Sequence, residues 1–206
     1  MRIPRKVRTR PTSVITSIRA SLHALYSDTR GSQILELAVS VPLLAVLMIG
    51  VIDFSSAFSL KHKLDIAVQE GARVGSSQPL SDITNTAPQS TIAIRDAIAG
   101  YLTSTAVKDC GLAAAATSAP GGTSGLVWTY TANTGCPGGG TLTLTIDRGA
   151  TFQTTGTPRL TVEGLQITIS YPYQWRFGRA VSLISGGSGP TGITQITTSA
   201  TVQALN

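Results

Sequence analysis

From Leu37 to Ile52 the chain reads LAVSVPLLAVLMIGVI, sixteen residues without a formal charge, and its apolar character continues past Asp53 through Phe54, Ala57, Phe58 and Leu60. At 1.5 Å of rise per residue this stretch makes about 36 Å of helix, enough to cross a hydrocarbon core of roughly 30 Å. The pattern predicts one transmembrane helix, over residues 34–60. Beyond it, KHKLDIAVQEGARVGSS keeps Leu60, Leu64, Ala67, Val68, Gly71 and Val74 near one face, with Lys61, Asp65, Glu70 and Arg73 elsewhere. That is an amphipathic continuation, giving one long helix from about Ser32 to Ser77. Within it Ala67, Gly71 and Gly75 recur every four residues. Two readings stand: a small-residue stripe that lets another backbone approach closely, or Gly75 as a C-terminal cap with Gly71 incidental.

Residues 76–90, SSQPLSDITNTAPQS, are rich in turn formers and read as a linker or exposed loop. A second helix is predicted in TIAIRDAIAGYLTSTAV, where Ile94, Ala97, Ile98 and Tyr101 or Leu102 repeat at helical spacing and prepare a face to pack on a sheet. After it the texture changes to alternation. Leu126, Trp128 and Tyr130 form one set, Leu142, Leu144 and Ile146 a second, Leu165, Ile167, Ile169 and Tyr171 a third, and Ile196, Thr198, Ala200 and Val202 a weaker fourth. Period-two patterns between turns such as GCPGGG, TTGTPR and SGGSGP indicate half-buried strands. The expected fold class is α+β: a long N-terminal helix, a second short helix and an antiparallel sheet of about four strands. The segments divide as 1–31, a basic leader; 32–78, the membrane helix with its extension; and 79–206, an α+β domain.

Charge sharpens this layout. The formal net charge is +6, and residues 1–31 account for all of it, with seven basic side chains against Asp28 alone; the remainder is formally neutral. The body therefore offers no electrostatic surface for nucleic acid. A cationic segment before an apolar helix places the N-terminus in the cytoplasm and the residues after about 60 outside. The alternative is a secretory signal peptide cut near Ser55-x-Ala57, against which stand the length of the basic region and the interruptions at Glu36 and Asp53.

Candidate chemistry is sparse. The body has a single histidine, His62, and His23 lies in the leader, so no His-centred catalytic or zinc constellation can be assembled. Phosphate-binding loops and nucleophile elbows are absent, and the glycine clusters read as turns. No catalytic residue, metal, cofactor or small-molecule substrate is expected, and the chain is read as a non-enzyme. Cys110 and Cys136, the only cysteines, fall in the segment expected to be exported. A disulfide between them would close a loop worth about 3 kcal/mol, with free thiols as the open alternative.

The remaining constellation is at the start of the helix: Arg30-Gly31, then Ser32, Gln33, Ile34 and Leu35, then Glu36 as the fifth residue after the glycine. This resembles a type IV prepilin junction, at which an aspartic prepilin peptidase cuts after the glycine and leaves the apolar helix in place. The longer run RGSQILELAVSVPLLAVLMIGVIDFSSAFSLKHKLDIAVQEGAR resembles the TadE-like segment of tight-adherence pilus assembly proteins. Arg30, Gly31, Glu36, Pro42, Leu43, Leu44, Asp53, Phe54, Ala72 and Arg73 carry the pattern. It departs at Leu37, where the family usually has Phe, and at Ser55, where Gly is common.

The resemblance implies a single-pass pseudopilin or minor pilin of the bacterial inner membrane, with a periplasmic or extracellular domain. Its partners would be the prepilin peptidase, other pilins or pseudopilins and platform proteins. Glu36 would pair with the free α-amino group of a neighbouring subunit; the alternative role is a first-turn acid complementing the helix dipole. Pro42 would kink or loosen the spanning helix, and Asp53 would reach the interface. Two other readings use the same features: an exported β-rich adhesion module, with residues 1–60 serving only export, and a pseudopilin of a general secretion system.

Overall fold

The computed structural model describes residues 29–118, 120–122, 125–153, 157–159, 161–176 and 193–203. The leader up to residue 28 and the SGGSGP turn lie outside the described residues, as does part of TTGTPR. The chain divides into two compact units, Met1–Leu47 and Met48–Asn206. Helix α1, Thr29–Ser76, contributes to both and runs unbroken through Pro42.

In the first unit α1 presents apolar side chains outward: Ile34, Leu35, Leu37, Leu43, Leu44 and Leu47 are each more than 60% exposed. An apolar surface this continuous is unlike the scattered exposure of a water-soluble surface. The helix is long and apolar enough to cross a membrane.

In the second unit, helix α2 (Gln89–Ser104) follows, then strands β1 (Val127–Ala132), β2 (Leu142–Gln153), β3 (Thr161–Gln174) and β4 (Ile193–Gln203). The sheet is antiparallel in the order β1-β2-β3-β4. All four alternating sets fall on these strands, apart from Leu126, which immediately precedes β1. Their core-facing residues lie opposite one another: Tyr130 against Leu144, Leu144 against Ile169, and Ile169 against Thr198. The reverse face is a hydroxyl-bearing one, with Thr129, Thr145, Thr168 and Ser199 in a single row across the sheet. This is the division expected of an antiparallel sheet with one covered and one solvated face.

The core has contributions from both helices. Leu64, Ala67, Val68 and Ala72 of α1 join Ile94, Ile98, Ala99 and Leu102 of α2 and the inward residues of the strands in one cluster. The 76–90 segment is more than a spacer. Pro88 ends it in extended conformation as the residue before α2 and supplies no side-chain cap. Asp82 reaches forward instead, accepting from the Ser90 N–H at 2.8 Å and the Ser90 hydroxyl at 2.9 Å, so a carboxylate sits where the helix dipole favours one.

Candidate functional site

Gly31 and Glu36 sit on the exposed surface of α1 in the first unit, and a Cβ on Gly31 would meet nothing within 4 Å. Ser32 lies in the same first turns, with its side chain outside the described residues. Glu36 makes no hydrogen bond or ion pair among the described residues. Pro42 is likewise exposed.

Asp53 is different. It is 2% exposed, although its neighbours Ile52 and Phe54 are 55% and 60% exposed. The Tyr173 hydroxyl, from the end of β3, reaches the Asp53 carboxylate at 3.0 Å and its backbone carbonyl at 3.1 Å. Asp53, expected as a helix-packing position near the outer end of the apolar run, thus has its contact on the sheet. Burial, the hydrogen bond to Asp53 and that carboxylate's charge push the Tyr173 hydroxyl above the usual tyrosine range, against opposing effects of Arg176 and Ser56. Trp175 completes the cluster. Its ring meets Phe54 edge-on at 5.3 Å and Tyr173 at 5.0 Å, and its indole N–H donates to the Thr194 hydroxyl at 2.7 Å. Aromatic side chains with one wet and one apolar end suit the boundary between membrane and water.

Beside this cluster a groove of about 580 Å³ opens between α1, the loop after α2 and the end of β3. Its lining includes Leu60, Lys63, Lys108, Tyr171, Trp175 and Arg176, and no carboxylate among the described residues. Lys63 is anchored by donation to the Thr105 carbonyl at 2.9 Å, whereas Lys108 and Arg176 are exposed. The Tyr171 hydroxyl donates to the Lys108 carbonyl at 3.0 Å, and burial followed by the charge of Asp109 pushes its pKa upward.

The small-residue stripe is occupied from within the chain. A Cβ on Gly71 would stand 2.7 Å from Ile98 Cδ1, and one on Gly75 would overlap the Leu165 side chain and lie 2.9 Å from Ile94 Cδ1. Ala67 is wholly buried in the same cluster. Gly75 lies inside α1, with Ser76 as its last residue, and is not a cap beyond the helix end. Cys110 and Cys136 form a disulfide, with Cα atoms 4.8 Å apart, that ties the loop after α2 to the turn after β1.

Against this geometry stands one match among known families. Residues 31–73 match the family model of TadE-like proteins. The matched segment covers the apolar half of α1 and runs on through Asp53, Leu64, Ala67, Val68, Gly71 and Ala72, so its matched positions include both the exposed apolar surface and the buried core face. The search of curated proteins and that of solved structures found no match.

Three site features escape pattern reading. Tyr173 stands 120 positions from Asp53. Asp65, placed off the packed face by periodicity, accepts a hydrogen bond from Thr198 of β4, 133 positions away. Arg148 breaks no alternation, because it occupies the next inward position after Ile146, yet it is only 7% exposed. Its guanidinium donates to the carbonyls of Gly75 and Gln78, both at 3.3 Å, and thereby holds the C-terminal end of α1. The one local signal was a lone cation at an apolar strand position.

Proposed function

We propose that the chain is a membrane-anchored pseudopilin or minor pilin that assists assembly of a tight-adherence type IV pilus or a related secretion apparatus. The observation that carries this reading is the coincidence of the TadE-like match over 31–73 with a helix exposed and apolar at one end and built into an α+β core at the other. The matched segment thus includes both an apolar exposed stretch and part of the folded core. Prepilin peptidase would cut after Gly31 on the cytoplasmic side, the helix would remain in the inner membrane, and the domain would stand in the periplasm. The work is binding to other pilins and platform proteins, without turnover of a substrate.

Retention of the helix has structural support in Asp53. A signal-peptidase cut near Ala57 would remove the carboxylate that Tyr173 engages and the Phe54 ring against Trp175, leaving those β3 groups without their partners. N-terminal sequencing of the membrane-extracted protein tests the proposal. A mature chain beginning at Ser32 is expected; one beginning near Phe58 would overturn it in favour of the exported module.

A further inference from the structure

The groove beside Tyr173 lies at a defined level along α1. Within the second unit the exposed apolar side chains Met48, Val51, Ile52, Phe54 and Phe58 end at Phe58, and Lys61, His62 and Lys63 follow directly. Ser56 and Lys63 both line the groove, which therefore spans the level at which α1 changes from apolar to charged. A bilayer changes from acyl chain to headgroup at that level. The groove walls offer Lys63, Lys108 and Arg176 without a lining carboxylate among the described residues; Asp53 and Asp109, hydrogen-bonded to Tyr173 and to the Ala113 N–H, act on the lining Tyr173 and Tyr171 from beside the groove, and two carboxylates against three cations leave its charge positive. Three cations converging on a groove at headgroup level are complementary to a phosphate held at that level, and Trp175 beside the exposed Phe54 has the chemistry of an interfacial anchor.

We propose that this groove seats the phosphate of an anionic phospholipid, with Lys63, Lys108 and Arg176 supplying the charge and Trp175 setting the depth. The proposal rests on the membrane-anchored reading of α1.

The test uses the full chain in bilayers of phosphatidylcholine with a minor fraction of phosphatidylglycerol. Bromine is placed on the acyl chains of one lipid or the other, at equal labelled amount and constant total composition. Trp128 is wholly buried, so quenching reports on Trp175, the other of the two tryptophans. Stronger quenching by brominated phosphatidylglycerol is expected. The preference should fall about fivefold in Lys108→Gln and again in Arg176→Gln, both exposed positions whose exchange leaves the core intact. Equal quenching by the two labels in incorporated protein would overturn the lipid site while leaving the anchor standing. Absence of quenching by either label would mean that the groove is covered by protein, and would overturn it too. Loss of the preference on adding inorganic phosphate would assign the site to a free anion instead. Failure to incorporate into the bilayer would overturn both the lipid site and the anchor.

Discussion

The carboxylate of Asp53 joins the apolar stretch of α1 to the end of β3. Asp53 sits between two lipid-compatible residues, and an unpaired charge at that level would be costly; the Tyr173 hydroxyl satisfies it and places the β3 end against α1. The cost of ionising that hydroxyl gives a pH signature. Tyr173 titrates above its ordinary value of 10.0, and Tyr171 is shifted the same way. Groups with a folded pKa raised above the unfolded one contribute stability that is fully present below the unfolded value and lost as pH rises through the folded one. The melting temperature should therefore hold up to about pH 10 and decline above it. In Tyr173→Phe the alkaline decline should be shallower, from a lower starting value at neutral pH, because the phenol can no longer donate to Asp53. Thermal melts of the two proteins across that range in detergent check this; equal alkaline slopes would remove Tyr173 from the account.

At the scale of elements, the close contact of α1 with α2 and β3 depends on what is missing from two glycines. Glycine inside a helix costs about 1 kcal/mol relative to alanine, so Gly→Ala is stabilising wherever space allows. Gly100, exposed on α2 with nothing within 4 Å of a Cβ, is such a position, and Gly100→Ala should stabilise by about 0.5–1 kcal/mol. Gly75→Ala meets Leu165 and Ile94, and the cost of overpacking, about 1–3 kcal/mol, outweighs the propensity gain. Denaturant midpoints of the two variants should move in opposite directions. This also shows what was legible. Strand positions, both helices and the stripe followed from periods of two and of about 3.6, because burial of one face imposes a repeat on neighbouring residues. The use of the stripe did not follow, since spacing carries no information on whether the approaching surface is a second membrane helix or, as observed, Ile94, Ile98 and Leu165 of the same chain. Asp82 on Ser90, Asp65 with Thr198 and Arg148 on the α1 end are single polar contacts set by the fold, and a single contact leaves no repeat to read.

For the molecule as a whole, the question is where the folded unit begins. Division of the sequence by texture puts a boundary after residue 78, at the turn-rich stretch, yet the core includes Leu64, Ala67, Val68 and Ala72 from before it. Fully burying a Leu or Val side chain is worth about 1.5–3 kcal/mol. Removing α1 also uncovers Ile94, Ile98 and Ile167, which pack against Gly71 and Gly75, and frees the Arg148 guanidinium from the two carbonyls it holds. Losses of this kind reach the entire stability of an ordinary domain, about 5–15 kcal/mol. The disulfide does not compensate, because it staples the loop after α2 to the turn after β1 and makes no link to α1. A chain beginning at residue 79 is therefore expected to lack a cooperative thermal transition and to expose apolar surface. One beginning at Asp53, which keeps the Tyr173 contact and the whole core face of α1, should unfold cooperatively. Circular dichroism melts of the two truncated chains, with dye binding to report exposed apolar surface, distinguish these outcomes. A cooperative transition in the shorter chain would mean that α1 lies on the domain without being part of its core.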